Sequence, residues 1–147
     1  MLPISADVKS CGAEQDLALV HDFLARETCW AAGIPRKALE RALGHSICYG
    51  VYRDEKLVVF ARPVSDQSTF VYLADVFVPQ GHRGHGCGRA IVAAMMRDLR
   101  LRGLRPWHLV TRGMQRLYAG MGFTELAQPE QHVQKHDAGV YRRERAG

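Results

Sequence analysis

Two periodicities divide the chain. EQDLALVHDFLARETCW sets Leu17, Val20, Phe23 and Leu24 on one helical face. Gly33 and Pro35 break that pattern, and Pro35 is suited to open a second helix, PRKALERALGH, with Ala38, Leu39, Ala42 and Leu43 inward and arginines outward. SICYGVYRD, KLVVFARPVSD and STFVYLADVFV are rich in β-branched and aromatic residues and read as strands. Arg53-Asp54-Glu55-Lys56 and Ser65-Asp66-Gln67-Ser68 read as the turns between them, which predicts a three-stranded antiparallel meander. A short first strand is predicted around Ile4 to Val8.

Helical spacing returns at Ile91, Val92, Met95, Met96 and Leu99, predicting a helix from about Cys87 to Arg102 with Gly103 as its C-cap. RPWHLVT reads as a strand, GMQRLYAGM as a short helix and GFTELA as a strand; a last strand is predicted near Val140 and Tyr141. VYLADVFV, the helix after it and PWHLVT form a βαβ unit, whose right-handed crossover makes its two strands parallel. The predicted fold is α/β of the mixed, α+β kind: an antiparallel meander followed by a central βαβ unit, with helices on both faces of the sheet. A chain of 147 residues suits a single domain over residues 1–147, and no internal repeat divides it.

Charge changes this picture little. Twenty Lys and Arg against fifteen Asp and Glu give a formal charge of +5, carried mostly by arginine, since only Lys9, Lys37, Lys56 and Lys135 are lysines. A basic surface attracts phosphates and other anions, although solubility alone accounts for a charge of this size. In RDLRLRGLR, Arg97, Arg100 and Arg102 do not form one stripe, and no nucleic-acid motif is present, so no nucleic-acid partner is expected. Cys11, Cys29, Cys48 and Cys87 have neither CxxC nor zinc-finger spacing, which predicts reduced thiols, no metal and a cytoplasmic location. The opening MLPISADVKS does not read as a signal peptide, and no apolar run approaches the roughly 18 residues of a membrane span.

The chemistry concentrates in HRGHGCGR, between a predicted strand and a predicted helix. Unpaired amides at a helix start, aided by the helix dipole, form a ready anion site. Gly84, Gly86 and Gly88 let backbone approach a bulky anion, and Arg83 and Arg89 add charge and donors. A nucleoside-triphosphate loop needs Lys followed by Ser or Thr after its glycines, which this chain lacks. A dinucleotide fold needs GxGxxG after the first strand of a βαβ array, whereas here GxGxG follows a meander. Coenzyme A is the third ligand compatible with such a loop.

The run VPQGHRGHGCGR resembles the coenzyme A loop of the Gcn5-related N-acetyltransferases (GNAT), with Arg83, Gly86 and Gly88 matching the signature Q/R-x-x-G-x-G/A. RLYAGMGF, Arg116 to Phe123, is similar to that family's L-Y-x-x-x-G-F segment, and the resemblance covers roughly residues 46–126. It implies that backbone of Val76, Phe77 and Val78 pairs with the pantetheine arm of acetyl-coenzyme A. The amides of Gly84, His85, Gly86, Cys87, Gly88 and Arg89 would hold the pyrophosphate, with Arg83 beside them. Tyr118 would face the thioester sulfur as general acid, and a backbone N–H at or near Val78 would polarise the carbonyl. Thr111 stands where the family often has an asparagine that contacts the cofactor; it keeps a hydroxyl and loses the amide's reach. Met114 replaces a commoner small residue. The implied activity is acetyl transfer to the primary amine of a small molecule by direct attack in a ternary complex. The alternative is a non-catalytic acyl-coenzyme A sensor of the same fold. The resemblance also allows a homodimer.

The acceptor side is read from individual residues. Asp75 sits in an apolar strand, where strand alternation puts it on one face with Phe77, and Ala74, Val76 and Val78 on the other. A carboxylate there is a base, an anchor for the substrate's ammonium, or a structural group bonded to a nearby arginine or backbone. Trp30 offers a flat apolar wall and Arg36 a carboxylate binder, while Tyr49 and Tyr72 on the meander are expected to face the same cavity. His45 and His108 are secondary candidates. A covalent route through Cys87 is disfavoured by its place in the pyrophosphate loop, away from the thioester.

Overall fold

The computed structural model describes residues 14–54, 56–82, 84 and 86–146; the strand expected near residues 4–8 lies outside them. The elements are α1 (Glu14–Glu27), α2 (Arg36–Gly44), β1 (Tyr49–Arg53), β2 (Lys56–Ser65), β3 (Val71–Phe77), α3 (Cys87–Met96), β4 (Trp107–Leu109), α4 (Gln115–Ala119) and α5 (Val140–Ala146). The sheet order is β1-β2-β3-β4. The first three strands form the expected meander, and β4 runs parallel to β3. At the β2–β3 turn the Asp66 carboxylate accepts bonds from the Thr69 hydroxyl and from the amides of Thr69 and Ser68. Those bonds hold its carboxyl well below the usual range. No described helix is long and apolar enough to cross a membrane.

Each face of the sheet is covered by helix. On one side Ile91, Val92 and Met95 of α3 pack with Tyr49, Val51, Val59, Ala61, Val71 and Leu73. On the other, Val20 and Leu24 of α1 and Leu39 of α2 pack with Phe60 and Phe77. Phe23 stacks on Phe77 with ring centroids 3.9 Å apart, so α1 is fixed against the end of β3.

Strict alternation would place Leu73 and Phe77 on the same face, yet they belong to opposite clusters. The register explains this. It steps from Arg62 opposite Asp75 to Pro63 opposite Leu73, leaving Ala74 without a partner on β2. Pro63 has no N–H to give a ladder, and a bulge is where a sheet tolerates that. Beyond the bulge Val76 and Val78 pack toward α3, and Phe77 toward α1.

Five expectations are corrected. Pro35 is the N-cap of α2, in extended conformation, rather than its first helical residue. Helix α3 stops at Met96 instead of Arg102, because Asp98 caps a separate 3-10 turn by accepting the Arg100 amide. Gly103, with φ of 75°, then serves a turn and not the end of α3. Neither GFTELA nor Val140-Tyr141 is a strand, and the latter opens α5. VYRRERA is mostly good helix formers, and the Asp137 carboxylate accepts the Gly139 amide just before it.

Tyr49 ties this arrangement together. It is 1% exposed, and its hydroxyl donates to the Asp98 carboxylate, joining β1 to the segment after α3. Burial, reinforced by Asp98, pushes the Tyr49 phenol far above its ordinary value. Hydrogen bonds from Arg100, then the Tyr49 hydroxyl, hold the Asp98 carboxyl well below the usual range. A carboxyl with a depressed folded value contributes stability above its unfolded value, near about pH 4, and loses it as pH falls. Tyr49→Phe should therefore cost about 2 kcal/mol at pH 7 in chemical denaturation. The deficit should shrink as the pH is lowered below about 4; a deficit constant with pH would show that Asp98 is not the cause.

Candidate active site

Pairing between β3 and β4 covers only Val71–Trp107, Tyr72–His108 and Leu73–Leu109. From Ala74 onward β3 continues to Phe77 with no β4 partner beside it. A notch thus opens in the sheet directly after the bulge. The edge carries Val76 and Phe77, with Val78 immediately beyond. The Phe77 side chain is buried against Phe23 and Phe60, so what it offers the notch is backbone.

The glycine turn stands at the end of that strand. Gly84 and Gly86 have φ of 82° and 76°, the left-handed region that glycine adopts without strain. A Cβ at either would meet no atom within 4 Å, so the turn faces open space. Gly86 is the N-cap of α3 and supplies no side-chain cap. Among the described residues the amides of Cys87, Gly88 and Arg89 have no hydrogen-bond partner. Gly88 lies against Val78 and Leu117, bringing the start of α3 close to both β3 and α4. The Arg89 guanidinium reaches toward the carboxyl end of α4, with Nη1 3.7 Å from where a Gly120 Cβ would stand. Arg83 and His85 lie outside the described residues.

Tyr118 is 8% exposed and packs with the α3-side cluster, its ring set edge-on to Phe123. Burial raises its phenol above the ordinary value. No described residue hydrogen-bonds its hydroxyl, and no described polar side-chain atom is both sealed and unpaired, so Oη reaches solvent. Thr111 is partly buried just past β4, and its carbonyl accepts a 3.4 Å bond from Gln115. Met114 is the N-cap of α4 and is half exposed.

On the α1 side of the notch a polar chain runs inward from the surface. Trp30 Nε1 donates to Asp75 Oδ1 at 2.9 Å. Arg62 Nε donates to Asp75 Oδ2 at 2.7 Å, and Arg62 Nη1 to Ser46 Oγ at 3.0 Å. Asp75 is 4% exposed with both oxygens engaged, which is the structural carboxylate among the readings above. Arg62 neutralises it, so it is poorly disposed to act as base or ammonium anchor. Sequence reasoning missed Arg62 and Ser46. The signal was a charge inside each of two neighbouring apolar strands.

The other acceptor candidates are scattered. Tyr72 is exposed on the sheet face that carries Arg62 and Asp75, opposite Val64. Tyr49 is a correction: it is buried on the opposite face, bound to Asp98, because its position pairs with Ala61 of the α3-side cluster. Arg36 lies exposed at the start of α2, 3.7 Å from Glu40. His45 ends α2, and His108 packs edge-on against His132. No group of three metal-ligating side chains gathers among the described residues.

A mixed sheet that parts beside a glycine turn and a bare helix start is the arrangement to set against known proteins. Residues 44–125 match the acetyltransferase (GNAT) domain. A GNAT-family protein of Xanthomonas campestris pv. campestris, provisionally described as an acetyltransferase, is 41% identical, with 86% of this chain and 89% of that chain covered at a TM-score of 0.82. A provisionally named acetyltransferase of Gibberella zeae is 35% identical over 78 residues, 41% of this chain and 44% of that protein, so under half of the fungal chain is spanned. The ribosomal-protein-S18-alanine N-acetyltransferase of Escherichia coli shares the fold at 20% identity and a TM-score of 0.65, with 80% and 77% covered. The chain belongs to the GNAT acetyltransferase family.

The raised Tyr118 phenol can be read directly. Ultraviolet difference titration of the protein and its Tyr118→Phe variant should differ by one phenol that ionises above about pH 10. A missing phenol at or below that value would contradict burial as the controlling influence.

Proposed function

We propose that this chain is an acetyl-coenzyme A dependent N-acetyltransferase acting on the primary amine of a small molecule by direct attack in a ternary complex. One observation carries the reading: β3 runs past its last pairing with β4 beside a helix start whose amides lack partners among the described residues. The site fits the group that the family uses. Backbone along Val76, Phe77 and Val78 suits an extended, amide-bearing arm, and the open turn at Gly84 and Gly86 with the amides of Cys87, Gly88 and Arg89 suits linked phosphates.

Acetyl-coenzyme A, when bound, supplies the acyl group as an activated thioester. Backbone N–H near Val78 offers a fixed dipole to charge developing on the carbonyl oxygen. Tyr118, protonated at neutral pH as a phenol ordinarily is and shifted further up by burial, holds its Oη proton for the departing sulfur. It regains a proton from the attacking nitrogen through solvent. The net change is one C–N bond made, one C–S bond broken and one proton moved from nitrogen to sulfur. Asp75, bound by Trp30 and Arg62, acts as a positioning residue.

Isothermal titration should give saturable acetyl-coenzyme A binding, and its absence would remove the proposal. Gly86→Val forces a β-branched residue into the left-handed region and should weaken that binding by about tenfold. Tyr118→Phe should lower kcat by about a hundredfold with cofactor affinity unchanged; an unaffected rate would dismiss the phenol. Tight binding without turnover across a broad amine panel would favour the sensor reading.

A further inference from the structure

We infer that the Trp30 indole is the acceptor platform, selecting a primary amine borne on an aromatic or other flat apolar body over a polycationic amine; this rests on the acetyl-transfer reading above. Trp30 is 54% exposed, yet it is held in place. Its single polar group, the indole N–H, is taken by Asp75. What it presents to an incoming molecule is therefore aromatic surface without a donor. Asp75 is itself fixed by Arg62, and Arg62 by Ser46. The residue that pins the ring directly precedes Val76, on the edge that borders the notch. An amine resting on the indole thus lies beside the backbone proposed to hold the acyl donor.

The local charges oppose a polycation. The loop 28–35, TCWAAGIP, contains no acidic or basic residue. Asp75 is neutralised by Arg62. Nearby on α1 and α2, Asp16 accepts from Tyr52, Asp22 pairs with Arg26 and Glu40 with Arg36. Among the described side chains of that stretch, Glu27, which ends α1, is the carboxylate without a described partner, a complement for one ammonium and not for several. An aromatic face attracts a single ammonium and buries an apolar body at once. Tyr72, exposed on the same sheet face, adds a second flat surface.

The chain has two tryptophans, so Trp107→Phe leaves Trp30 as the sole indole. Trp107 packs edge-on to Phe123 on β4, away from the Asp75 chain, and phenylalanine keeps that contact. With coenzyme A present, 2-phenylethylamine should give a saturable blue shift of Trp30 emission as the ring is covered, and spermidine should give none. No shift with 2-phenylethylamine, or an equal shift with spermidine, overturns the platform. In turnover, Trp30→Ala should raise KM for 2-phenylethylamine by about tenfold while KM for acetyl-coenzyme A stays unchanged. An unchanged amine KM overturns the inference, and so does faster acetylation of spermidine, although the latter would leave acetyl transfer itself standing. A blue shift without any acetylation supports the platform and removes the catalytic reading.

Discussion

A strand that outruns its neighbour leaves backbone donors and acceptors without partners. In this chain β3 does so just after the bulge at Ala74, where β4 stops and leaves β3 as the outer described strand. Such groups must be satisfied by water, by another chain or by a ligand. The surrounding elements arrange themselves about that opening. Helix α3 begins at the end of the open strand, Leu117 closes against Gly88, and Tyr118 brings a buried phenol up from the α3-side core.

The bulge has a second consequence. By shifting the register between Leu73 and Asp75, it turns Asp75 to the α1 face, opposite Arg62. Pairing a buried carboxylate with a guanidinium contributes little net stability, because desolvation offsets most of the attraction. Losing one partner is costly, since the other charge would stay buried and unpaired. The pair is therefore best understood as fixing geometry. It orients the carboxylate that holds Trp30, and so couples the α1–α2 loop to the strand beside the notch.

The order of the main elements was legible from the chain. Apolar residues at helical spacing identified α1, α2 and the start of α3, and turn residues at 53–56 and 65–68 identified the meander. The errors fall where a long-range contact overrides local pattern. Leu99 continues the helical spacing of α3, but the bond from Tyr49 to Asp98 draws that segment to β1 and ends the helix earlier. GFTELA has strand-like composition and no strand to pair with, because β4 is only three residues long. Tyr49 was expected at the cavity from its place on the meander, and the partner that buries it, Asp98, lies 49 positions away.

By itself the sequence determined the glycine turn, the phenol of RLYAGMGF and the parallel crossover between them, since these depend on backbone freedom and on contacts close in the chain. Tertiary structure alone decided which face each residue of β3 serves. A single bulge reverses every side chain beyond it, and the register of β2 against β3 depends on packing from both faces. For the same reason the joining of Ser46, Arg62, Asp75 and Trp30, drawn from four separate segments, emerged only once the sheet was assembled.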